Sequence, residues 1–160
     1  MQRFEALQPA ALLDLLARYG IELQLLNSAD EIPGSYWGDS EAGLLGNRLL
    51  VRPDTPLHSI LHEASHFICA TPERRASMAR DAGGDDAEES AVCYLQILLA
   101  ETLPGAGGDQ LMQDMDSWGY SFRLGSTLAW FRADAADALQ WLQQQGVADH
   151  KGCLTGALRC

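Results

Sequence analysis

Long apolar runs are missing from this chain. No stretch approaches the roughly 18 residues that a membrane span needs. Asp14 interrupts the one apolar stretch near the start, so that stretch reads as an amphipathic helix and not as a signal peptide. Positive charge is scarce: 11 Lys and Arg stand against 22 Asp and Glu, for a net charge of −11. Arg74-Arg75 is the only adjacent Arg/Lys pair. So acidic a chain suits neither nucleic acid nor an anionic membrane, because both are polyanions. Cysteine is scarce too. Four in 160 residues are too few for a disulfide framework, and free thiols are expected; Cys153 and Cys160 are the pair that could join if oxidised. Together these shortages lead to the expectation of a cytoplasmic protein.

The pattern shows no internal repeat and no low-complexity tract. A chain of 160 residues suits one compact domain. Pro9, the leucines at 12, 13, 15 and 16, and Gly20 mark a first helix with its start and stop. Ile21, Leu23 and Leu25 alternate with polar residues, as in a half-buried strand. Residues 27–39 read as a loop. Leu44-Leu45 and Leu49-Leu50-Val51 flank Gly46-Asn47, a hairpin signal. Asp54 or Thr55, followed by Pro56, is expected to cap a helix running to about Ala70. Shorter helices are expected from Pro72 to about Asp81 and from about Asp109. Between them Asp86 is expected to cap a helix running to about Thr102. A long last helix is expected from Ser126 to Gln145, with residues 147–160 as a loosely attached tail. The fold class predicted is α+β: one mostly helical domain with about three strands beside the helix of residues 57–70.

One pattern carries chemistry: His62-Glu63-Ala64-Ser65-His66. Residues four apart share a helix face, so the two imidazoles can hold one divalent ion. Glu63 sits one step around the helix, where it can take a proton from a metal-bound water. With 4 His and 9 Glu in the chain, chance gives this spacing in only about 0.5% of shuffled sequences. The other face, with Leu57, Ile60, Leu61, Ala64 and Ile68, is apolar. The competing explanation is two surface histidines beside a salt-bridging glutamate.

The motif resembles that of the zincin peptidases, and with the acidic stretch that follows it is similar to a minimal gluzincin of the ImmA/IrrE type. That resemblance implies a zinc peptidase whose third ligand is a glutamate on the next major helix. The candidates lie in Asp85-Asp86-Ala87-Glu88-Glu89. If Asp86 is the cap, Glu89 completes a capping box, and Glu88 shares an apolar face with Ala91, Val92, Leu95 and Leu99. Glu88 would then be a carboxylate aimed inward, a cost that a metal removes. Glu88 is therefore taken as third ligand, with Glu89, then Asp85 or Asp86, as alternatives. By the same resemblance Glu63 would be the general base. Ser65 stands where that family usually has glycine. Tyr120 or Arg123 could stabilise a tetrahedral oxyanion; Tyr120 is the chosen candidate. Further residues weighed are His58 beside the motif, Cys69 as a soft ligand, and Asp114, Asp116 and Trp118.

A shorter resemblance points elsewhere. Asn47-Arg48, Ser59, Leu61-His62-Glu63, Ser65-His66, Ala70 and Arg74-Arg75 are similar to the elongation factor P hydroxylase family. That implies an iron-dependent oxygenation of a modified lysine on a protein. Two histidines and a carboxylate suit Fe²⁺ as well as Zn²⁺. Three expectations result: a zinc hydrolase acting on a peptide or protein substrate, an iron-dependent hydroxylase, and a non-catalytic metal-binding module.

Overall fold

The computed structural model describes residues 1–33, 40–77 and 84–160. After a short 3-10 turn at Phe4–Ala6 come α1 (Pro9–Arg18), β1 (Glu22–Leu25), β2 (Gly43–Leu45) and β3 (Arg48–Val51). Then follow α2 (Leu57–Cys69), α3 (Pro72–Ser77), α4 (Asp86–Glu101), α5 (Gly108–Trp118), α6 (Thr127–Ala133) and α7 (Ala136–Gln144). The chain is a mostly helical α+β domain with a small three-stranded sheet, as its patterning predicts.

β2 and β3 form the expected hairpin, with Gly46 at φ +60° in the turn and Leu44 opposite Leu49. β1 lies parallel to β3 on its other side, Leu23 opposite Leu49, so β3 is the central strand. Alternation overstates the burial of β1. Ile21 is buried, but Leu25 is 53% exposed because β1 is an edge. The expected loop over 27–39 lies only partly within the described residues, and the expected end of the third helix near Asp81 lies outside them.

The sheet packs on α2, and α2 packs along α4. Leu49, Val51, Leu57, Ile60, Leu61, Ile68 and Leu95 are fully buried where these elements meet. Burial of one such side chain stabilises by about 1.5–3 kcal/mol. The cap of α2 differs from expectation. Pro56 takes the cap position without a side-chain bond, while the Thr55 hydroxyl accepts from the Arg52 amide at 2.8 Å. α4 packs against both α2 and α7. It is therefore buried on two faces, and Cys93, Gln96 and Ala100 are as inaccessible as Val92 and Leu95. The cap of α4 is Asp85, whose carboxylate accepts from the Glu88 amide at 2.8 Å. This is one residue earlier than expected.

The long last helix is two. Ser126 caps the first, as expected, and the chain breaks at Asp134-Ala135. The tail is tied down, not loose. Ala148 bridges Leu154, the Thr155 amide donates to the Val147 carbonyl at 3.0 Å, and the Arg159 amide donates to Ile68 at 3.0 Å. Among the described residues no helix is long and apolar enough to cross a membrane.

Candidate metal centre

His62 and His66 project from one face of α2 toward the first turns of α4. Their Nε2 atoms lie 3.1 Å apart. Glu89 reaches both, with Oε1 3.2 Å from His62 Nε2 and Oε2 3.3 Å from His66 Nε2. These three residues form a His/His/carboxylate cluster with ligand atoms within 4.8 Å of one another. A divalent ion fits this donor set.

A second residue on α4 orients the site. Gln96 donates from Nε2 to the His58 carbonyl at 3.2 Å, which turns its Oε1 toward His62 Nδ1 at 2.7 Å. An oxygen there requires a proton on His62 Nδ1, so the Nε2 lone pair of neutral His62 faces the cluster. Two imidazole nitrogens 3.1 Å apart cannot both present lone pairs without a proton or cation between them. Without a metal, a proton fills that role. Desolvation opposes charge on His62, yet Tyr120, Cys93 and Glu89 together hold its pKa well above the usual value. The carboxyl of Glu89 is held low by the same histidines, against desolvation.

Glu88, expected as third ligand, is not in this cluster. Its carboxylate is 3% exposed and is held by Arg74 at 2.8 and 2.9 Å and by Arg159 at 3.0 Å. The inward-facing carboxylate therefore has partners, one of them 71 residues away along the chain. Asp85 is the cap, so Glu89 forms no capping box, and Glu89, 45% exposed, is the carboxylate that meets the histidines. Asp85 and Asp86 are not part of the cluster.

Beside the cluster lies a cleft of about 390 Å³, lined by Glu41, His58, Ser59, His62, Glu63, Glu89 and Trp118-Gly119-Tyr120. Burial pushes the Glu63 carboxyl up to about 7; His62 opposes this, and Glu89 and Glu41 add to it. A carboxylate poised there can exchange a proton near neutral pH. Tyr120 is brought over α2 by Gly119, which ends α5 at φ +111°. Its ring centroid lies 5.8 Å from that of His62, and its hydroxyl lies 3.2 Å from His58 Nδ1. Burial, with the charge of His62, lowers the His58 pKa to about 4, so His58 is a neutral partner of the tyrosine.

The other candidates serve elsewhere. Arg123 pairs with Asp134 at 2.8 Å and is mostly exposed. Asp116 accepts from the Thr127 amide and hydroxyl, and Asp114 accepts from the Gln2 amide. Cys69 is buried outside the cluster, with its thiol pKa raised by that burial. Trp118 borders the cleft, 4.9 Å from His58. Cys153 and Cys160 are free and exposed. Gln96 was not foreseen. Its signal is its position seven residues after Glu89, on the α4 face turned to α2. No model of a known protein family matches the chain, and comparisons with curated proteins and with solved structures give no match either.

Proposed function

We propose that the chain is a metal-dependent hydrolase that cleaves a peptide bond. The observation that carries this reading is Glu63, a half-buried carboxylate with a raised pKa in the cleft that borders the His62/His66/Glu89 cluster. No hydrogen bond from a described residue reaches it. A metal-binding module has no use for such a group, whereas hydrolysis needs a base beside the ion.

His62, His66 and Glu89 would hold Zn²⁺, with Fe²⁺ as the alternative ion. Zinc held there supplies Lewis acidity and a water whose pKa falls toward about 7. Glu63 accepts the proton of the attacking water and returns it to the departing nitrogen. Tyr120 donates its hydroxyl to the oxyanion that develops on the carbonyl, while His58 and the turn at Gly119 hold its ring. Gln96 keeps His62 in the tautomer that binds through Nε2. The extended substrate has a place to lie. β3 is flanked on both sides, whereas β2 is an outer strand of the sheet, entered from cleft residue Glu41. The Ala42 amide before β2 is tied to Ser59 on α2 at 2.9 Å. Strand addition there would align a peptide with the site.

The test is to load the protein with zinc, incubate it with a proteome-derived peptide library, and read new N-termini by mass spectrometry. Cleavage by wild type that is lost in Glu63→Gln with zinc still bound is expected. No cleavage by wild type, with a mass gain of one oxygen in iron-loaded aerobic reactions, would replace this reading by the hydroxylase.

A further inference from the structure

The partners of Glu88 bear on the same centre. Arg159 lies near the end of the tied-down tail. Its guanidinium donates to Glu88 Oε1 at 3.0 Å, to the Cys69 carbonyl at 3.2 Å and to Gln145 at 3.1 Å. It also lies over the Trp141 ring at 4.9 Å. Its own carbonyl accepts from Arg75 at 2.6 Å, and its amide holds Ile68. One residue therefore joins the end of α2, the first turn of α4, α3 and the end of α7.

α2 and α4 run antiparallel: His62 meets Gln96, and His66 meets Glu89. The next contact along the pair is Cys69 with Glu88, made through Arg159. Glu89 has a 45% exposed side chain and depends on its own helical turn to stay over the histidines. That turn is anchored at Glu88. Gly84 leaves the room for this anchor, since a β-carbon there would overlap the Glu88 carboxylate.

We propose that Arg159 is a positioning residue for the metal centre. Through Glu88 it locks the first turn of α4 to the end of α2, and so sets the affinity of the His62/His66/Glu89 site. This rests on the metal reading above. The tail acts as a latch, and whatever lifts residue 159 away loosens the metal.

The test is competition for Zn²⁺ with a chromophoric chelator, well below the unfolding transition. Metal-free wild type, Arg159→Ala, Arg159→Lys and Leu16→Ala are compared. Leu16 is buried in α1, which supplies none of the cluster residues, so its truncation serves as a structural control. Arg159→Ala is expected to bind zinc about tenfold or more weakly, the size typical of residues that orient ligands. Arg159→Lys keeps the charge but not the fork, and is expected to fall between Arg159→Ala and wild type. If Arg159→Ala fails to fold, as judged by circular dichroism, Arg159→Lys carries the test. Leu16→Ala should lower Tm and leave zinc affinity within twofold. Wild-type affinity in both Arg159 variants, or an equal loss in Leu16→Ala, would overturn the proposal. Failure of wild type itself to bind zinc would instead overturn the metal reading on which it depends.

Discussion

Replacing Glu63 by glutamine should stabilise the metal-free protein at alkaline pH. The carboxyl is held at about 7 in the folded chain against an ordinary 4.5, chiefly by burial, against the opposing charge of His62. A carboxyl whose pKa is raised by folding favours the folded state while protonated. Below pH 4.5 it is neutral in both states and carries no penalty. Between 4.5 and about 7 the unfolded chain ionises first, and the penalty grows. Above about 7 it is complete. At about 1.4 kcal/mol per pH unit, that interval corresponds to about 3 kcal/mol. Water in the cleft screens part of this, so about 1–3 kcal/mol is expected. Glu63→Gln removes the charge and keeps the shape. In a chain of this size each kcal/mol moves Tm by about 2–4 °C. Thermal unfolding in chelator should therefore show the variant melting a few degrees higher at pH 8, with the gain shrinking to nothing by pH 4. Equal stability at pH 8, or a gain that ignores pH, would refute the placement of Glu63 as a desolvated carboxyl that ionises near neutral pH.

Other outcomes follow from the same geometry. Glu88→Ala should keep a zinc stoichiometry like wild type under saturation but lower Tm, because Arg74 and Arg159 lose the carboxylate between them. Gln96→Ala should weaken zinc binding by about 10–100-fold, since His62 loses the acceptor that fixes its tautomer; chelator competition measures this. Tyr120→Phe should lower kcat by about 10²-fold with KM little changed, the pattern of a donor used in the transition state. Acid should release the metal. The raised His62 pKa means that protons compete for Nε2 well above the usual histidine range, so zinc affinity should fall as pH drops through neutrality.

The parts of this molecule that depend on near neighbours are legible in its sequence. The His62-Glu63-Ala64-Ser65-His66 spacing puts two imidazoles on one face of a buried helix, as the structure has them. Gly46-Asn47 gives the hairpin, and Gly20 and Gly146, both at positive φ, lie just past α1 and α7. What fails depends on contacts that local pattern does not carry. The choice of Glu88 over Glu89 rested on one face of α4 being core and the other not. With α2 and α7 on different sides of it, α4 has no such asymmetry. The cap is Asp85 and not Asp86, so the capping box that set Glu89 aside is not formed. The partner that explains the buried Glu88 is Arg159, in a segment that reads as a tail when its contacts are not in view. The break at Asp134-Ala135 has no glycine or proline to announce it.

The most direct measurement is elemental analysis of protein purified anaerobically without chelator, wild type beside Glu89→Ala. The account predicts about one zinc per chain in wild type and its loss in the variant, since Glu89 is the carboxylate that closes the site on His62 and His66. A wild type without metal, or a Glu89→Ala protein that keeps its zinc, would contradict it.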